Sequence, residues 1–147
     1  MTRILPPIWL LATIVTMILL DHFLPLVTIL SYPLTLIGWL PLGLGLLVVL
    51  WCAVIFKRHG TPIRPGKDPV SLVAEGPFAI SRNPIYLSMI VGLVGVGLLL
   101  GSLTPFACIA VFFAIIAKGF IPMEEAALEA AFGDEYLAYR RRVRRWI

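Results

Sequence analysis

Two polar clusters interrupt a chain that is otherwise oily. The first runs Glu75-Gly76-Pro77-Phe78 and then Arg82-Asn83-Pro84-Ile85-Tyr86, where the sequence turns back into apolar residues. The second is Glu124-Glu125, where the last apolar run ends. Pro84 suits the first turn of a helix, because its missing N–H would have no partner there anyway. Asn83 is placed to cap that helix, and the free N–H groups of the helix start can bind a carboxylate. Arg82 adds a fixed charge and a planar fork of donors. Glu124 and Glu125 offer acceptors for ribose hydroxyls or an ammonium. Brought together, the clusters would hold a zwitterionic molecule that carries a sugar.

The elements that must bring them together are membrane helices. The chain has 147 residues, 60% of them hydrophobic, and a mean hydropathy of +0.98. A soluble domain of this length is far more polar. Asp, Glu, Lys and Arg are absent from Ile4 to Leu20, from His22 to Phe56 and from Asn83 to Ala117. Runs of about 18 or more such residues are candidate membrane spans. The last run would reach roughly 50 Å as one helix, against a hydrocarbon core of about 30 Å. Gly101-Ser102-Leu103-Thr104-Pro105 is the natural place for it to turn.

The expected fold is therefore an all-α integral membrane protein of about four transmembrane helices, over residues 7–24, 33–56, 85–100 and 104–120. A loop over 57–83 and a C-terminal amphipathic helix over 122–146 complete one domain, 1–147. The hairpin of the last two spans brings its ends to one side of the bilayer, so the two clusters become neighbours. Lys57, Arg58, Arg64, Lys67 and Arg82, the arginines at 140, 141, 142, 144 and 145, and Arg3 all fall on the side shared by the termini. The positive-inside rule makes that side cytoplasmic, in an inner or plasma membrane.

In the C-terminal segment Leu128, Phe132 and Tyr136 recur at helical spacing, and Gly133 is a candidate bend. The closing Arg-Arg-Arg-Val-Arg-Arg-Trp-Ile reads as a surface attracted to anionic lipid headgroups. Cys52 and Cys108 lie in apolar runs, and no metal-ligand spacing includes them. Neither a metal nor a nucleic-acid partner is expected.

The stretch from Gly60 to Trp146 resembles the isoprenylcysteine carboxyl methyltransferase and phospholipid methyltransferase superfamily. Three features carry the likeness: "LVAEGPFAISRNPIY", the tail "EEAALEAAFGDEYLAY", and the hairpin-length apolar spacing between them. The resemblance implies S-adenosylmethionine as cofactor, leaving as S-adenosylhomocysteine. Carried over by position, Leu72, Val73 and Phe78 would line the adenosine pocket. Arg82, Asn83, Pro84 and Tyr86 would contact the cofactor, and Glu124 or Glu125 would hold its polar groups. Lys118 occupies about the place where some members have a basic residue for the substrate carboxylate. Some members carry His at the position of Asn83, so no titratable ring stands there in this chain. Gly95-Val96-Gly97 resembles a Gly-X-Gly attributed to cofactor binding, although small residues in a span also serve close helix packing.

The implied reaction is methyl transfer to a lipophilic acceptor, a prenylcysteine-like carboxylate, a thiol or an aminolipid. No general base stands out, which favours an anionic nucleophile or one deprotonated by solvent. The competing reading is a membrane binding or assembly factor that keeps the scaffold without turnover. A transporter fits poorly, since the spans carry almost no ionisable residue to line a pathway.

Overall fold

The computed structural model describes residues 5–60 and 70–147. Arg3, Arg64 and Lys67, part of the expected charge asymmetry, lie outside the described residues. The described chain is all-helical, with isolated bridges and no named strand. Its elements are α1 (Pro6–Phe23), a 3₁₀ turn (Leu34–Gly38) leading into α2 (Trp39–Arg58), a second 3₁₀ turn (Gly76–Ala79), α3 (Pro84–Leu100), α4 (Pro105–Ile115), a π-helical turn (Ile116–Phe120), α5 (Ile121–Phe132) and α6 (Asp134–Arg142).

Among the described residues three helical stretches are long and apolar enough to cross a bilayer: Pro6–Phe23, Leu34–Arg58 and the continuous run Pro105–Phe132. The fourth apolar helix, Pro84–Leu100, has 17 residues. Their outward faces are oily. Leu40 and Leu47 of α2 are 72% and 66% exposed, which is how lipid-facing residues look when the protein is taken alone.

α3 is the central helix, packed on α2 on one side and on α1 and α4 on the other. Glycines set the α2–α3 spacing. A Cβ on Gly45 would lie 2.5 Å from the Ser88 carbonyl oxygen, and one on Gly95 would lie 2.6 Å from that of Gly38. Such backbone contact is how small residues drive association in a span, where dispersion replaces the hydrophobic effect. The Gly95-Val96-Gly97 stretch is thus spent on packing, with Gly95 against α2 and Gly97 against Phe106 of α4.

The end of α1 and the turn between α3 and α4 are tied together at one end of the bundle. Ser102 Oγ donates to Asp21 (2.5 Å), Leu103 N–H donates to the Val27 carbonyl, and Ile29 and Leu30 N–H both reach the Gly101 carbonyl. The polar clusters sit at the opposite end.

Two features there depart from a single C-terminal helix over 122–146. First, α4 continues into α5 without a stop. Pro122 has no N–H for the Lys118 carbonyl and its ring crowds the preceding turn, and the chain absorbs this in the π turn Ile116–Phe120. Second, the helix breaks at Gly133, whose φ of 49° and ψ of −120° suit a residue without Cβ. Beyond the break α6 folds back, and after Arg142 the chain turns extended at Val143.

Candidate functional site

The start of α3, the first turn of α5 and the C-terminal strap Val143–Trp146 converge at the charged end. The strap is held by backbone. Ser81 and Arg144 form a parallel bridge, and Arg82 N–H donates to the Arg144 carbonyl (2.9 Å). The Arg145 carbonyl accepts from Asn83 Nδ2 (3.1 Å) and from Ser81 Oγ (3.3 Å). Trp146 stacks on Phe113 of α4 with ring centroids 5.0 Å apart. Asn83 therefore does not cap α3 with its side chain, as its position led one to expect. Its amide is committed to the strap, and its own N–H is taken by Ser81 Oγ (3.1 Å).

The acidic pair faces two ways. Glu125 is buried and meets two guanidinium groups. Arg82 Nη1 lies 3.1 Å from its Oε1, while Arg145 grips it with both arms, Nε to Oε1 (3.1 Å) and Nη2 to Oε2 (2.6 Å). Bidentate Arg–carboxylate pairs are among the strongest polar contacts proteins make, and this one pushes the Arg145 pKa further up. Arg82 Nη1 also donates to the Tyr136 hydroxyl (3.3 Å). Glu124 instead accepts from the Tyr86 hydroxyl (2.7 Å), and among the described residues no cation is paired with it. Tyr86 belongs to the apolar core with Met17, Leu93 and Phe112.

A third contact seals the cluster from the side. The Tyr139 hydroxyl donates to the Phe78 carbonyl (2.7 Å), and burial pushes its pKa up to about 12. Burial, and then Glu125, also raise the Tyr136 pKa, with Arg82 pulling the other way.

Of the residues singled out in the sequence, Arg82, Asn83, Tyr86, Glu124 and Glu125 come together, with Pro84 opening α3 beside them. The expected adenosine-pocket residues divide. Val73 and Phe78 pack with Cys52 and Ile55 of α2, whereas Leu72 packs on Tyr136, Tyr139 and Val143. Lys118 lies exposed in the π turn with no ion pair among the described residues. Glu75 reaches His59 (3.0 Å). Sequence reasoning missed Arg145, Tyr136 and Tyr139 as members of the cluster. Tyr136 was visible in a helical stripe, but nothing separates Arg145 from the other arginines until the strap fixes it against Glu125.

The fold and this cluster define a polytopic helical membrane protein with a buried, ion-paired polar site at one end of its bundle. The chain belongs to the phospholipid methyltransferase family, whose model matches residues 34–135 and so includes both polar clusters. Over 106 residues it is 31% identical to the cobalt-zinc-cadmium resistance protein CzcN of Cupriavidus metallidurans, covering 72% of this chain and 45% of that protein. Over 115 residues it is 31% identical to the nickel-cobalt-cadmium resistance protein NccN of Alcaligenes xylosoxydans xylosoxydans, covering 78% of this chain and 50% of that protein. It is also 34% identical over 88 residues to protein-S-isoprenylcysteine O-methyltransferase of Schizosaccharomyces pombe, covering 58% of this chain and 36% of that protein. The chain spans about half the length of the first two relatives.

Proposed function

We propose that the chain is an S-adenosylmethionine-dependent methyltransferase acting on a lipophilic acceptor at the cytoplasmic face of an inner or plasma membrane. The observation that carries this reading is Arg82. Its side chain is 10% exposed, and its Nε is buried without a hydrogen-bond partner among the described residues. A buried donor without a partner is costly and rare. Glu124, the neighbour in sequence of the Arg82 partner Glu125, is a carboxylate with no cation paired to it among the described residues. An arginine with an unpartnered donor fits a carboxylate, and a carboxylate without a cation fits a positive group, so the two together suit a zwitterionic cofactor.

In this reading Arg82 takes the carboxylate of the cofactor and Glu124 faces a positive group. Asn83, Pro84 and Tyr86 shape the wall at the start of α3, and Leu72, Val73 and Phe78 supply apolar surface for the adenosine. The cofactor, when bound, supplies a methyl group already activated by a positive sulfur. The chain's own residues align that group with the acceptor and keep water out. Trp146 on Phe113 and Tyr139 on Phe78 close the sides.

Proton transfer is not required of the site. His59 is engaged with Glu75, and His22 meets Phe23 edge-on at the other end of the bundle. The acceptor is then an anion such as a carboxylate or thiolate, arriving laterally from lipid, with Lys118 available to an acidic headgroup. Arg141, Arg142 and Arg144, exposed on the same side, meet anionic lipid headgroups.

The test is methyl transfer in liposomes from tritiated S-adenosylmethionine to three acceptors with one hydrocarbon chain and a carboxylate, thiol or amine head. Label in the acid or thiol product is expected. Label in the amine product alone, with a rate climbing steeply above about pH 8, contradicts the anionic nucleophile. No label in any product, from folded protein, contradicts the enzyme reading.

A further inference from the structure

The two adjacent glutamates share a helix turn but not an environment. Glu125 has both oxygens committed, to Arg82 and to Arg145, and Tyr136 of α6 stands near it. Glu124 has one neutral partner, Tyr86, whose ring lies in the apolar core between α1, α3 and α4. The cluster is therefore polarised. Two guanidinium groups surround one carboxylate on the strap side, which leaves a surplus positive charge there. The surplus negative charge stands on the membrane-core side, at Glu124.

We infer that the acidic pair divides its work, and that Arg145 is part of the site. Resting on the methyl-donor reading above, Glu124 alone faces the sulfonium end of the bound cofactor. Glu125 is a positioning residue that Arg145 holds in place, and it keeps Arg82 turned with Nε toward the ligand carboxylate. The direction follows from where the acceptor comes from. A lipophilic acceptor meets the methyl group on the membrane side, so the positive sulfur belongs beside the carboxylate on that side. The amino-acid carboxylate belongs beside the arginines. The family match ends at residue 135, so Arg145 lies beyond it.

S-adenosylmethionine and S-adenosylhomocysteine differ in this region by the sulfonium charge, which makes them paired probes. Their binding is measured by calorimetry in lipid nanodiscs for wild type, Glu124→Gln, Glu125→Gln, Arg145→Lys and, as control, Arg141→Ala. The Gln at 124 still accepts the Tyr86 hydroxyl, so only the charge is removed. Glu124→Gln is expected to weaken S-adenosylmethionine about tenfold or more and S-adenosylhomocysteine less than about threefold. Glu125→Gln and Arg145→Lys are expected to weaken both ligands by the same factor, and Arg141→Ala neither. Arg145→Lys keeps the charge and loses only the bidentate fork, so it carries the test if Glu125→Gln fails to fold. Equal weakening of both ligands by Glu124→Gln overturns the inference. So does charge-selective weakening by Arg145→Lys, or no effect of it at all. A wild type that binds neither ligand is a different failure, that of the methyl-donor reading itself.

Discussion

Replacing Glu125 by Ala removes the hub of the charged end, and its consequence can be worked from the contacts. Arg82 is 10% exposed and would be left with no anionic partner among the described residues, and Arg145, 40% exposed, would be released to solvent. Breaking a buried pair by deleting one partner costs about 3–5 kcal/mol, most of it the uncompensated buried charge. Replacing Arg82 by Ala should destabilise less, because Glu125 keeps its two bonds from Arg145. Replacing Arg140 should do least. Its contact with Glu129 is 3.5 Å long with both side chains 47% exposed, a class of pair worth about 0–1 kcal/mol. The order Glu125→Ala, then Arg82→Ala, then Arg140→Ala is the prediction. Equilibrium unfolding in mixed detergent micelles, followed by helical circular dichroism, reads it. If Glu125→Ala unfolds no more easily than Arg140→Ala, the charged cluster is not a buried hub and the account of it is wrong.

Four further substitutions have outcomes set by their immediate surroundings. Gly45→Leu forces α2 and α3 apart, because its Cβ would sit 2.5 Å from a backbone oxygen. It should lower the thermal midpoint by an overpacking cost of about 1–3 kcal/mol or more. Gly43→Ala, with nothing within 4 Å of the new Cβ, should be neutral or stabilising by up to about 1 kcal/mol. Tyr139→Phe strands the Phe78 carbonyl and should cost about 1–3 kcal/mol. Because burial raises the Tyr139 pKa to about 12, the folded state favours the neutral phenol. That contribution is whole below the unfolded phenol's pKa of about 10 and is lost as pH rises toward 12. Alkaline denaturation of Tyr139→Phe should accordingly be shallower than that of wild type over that window. Finally, Tyr86→Ala removes the partner of Glu124 and should weaken S-adenosylmethionine more than tenfold, about 1.4 kcal/mol, in the same calorimetric titration.

Much of this architecture was legible because it is written in long-range composition. Uncharged apolar runs announce membrane helices, and Pro84 and Gly101 mark where the central helix starts and stops. The meeting of Arg82, Tyr86, Glu124 and Glu125 followed from hairpin geometry alone. What stayed hidden depends on side-chain choice between chemically equal options. Asn83 can cap a helix or hold a distant carbonyl, and only the path of the strap decides. Five arginines near the C-terminus look alike in sequence, yet Arg145 alone among them grips Glu125. The π turn was invisible for a different reason. Pro122 signals a break, and whether the chain stops or widens and continues depends on what α4 and α5 have to pack against.

The most direct test of the central claim is calorimetric titration of S-adenosylmethionine and S-adenosylhomocysteine into the wild-type protein in lipid nanodiscs. Saturable binding of both at about micromolar Kd, near −8 kcal/mol, is the predicted result. No heat from either ligand, with protein that is helical and monodisperse, would contradict it and leave the charged end of the bundle as a structural clamp.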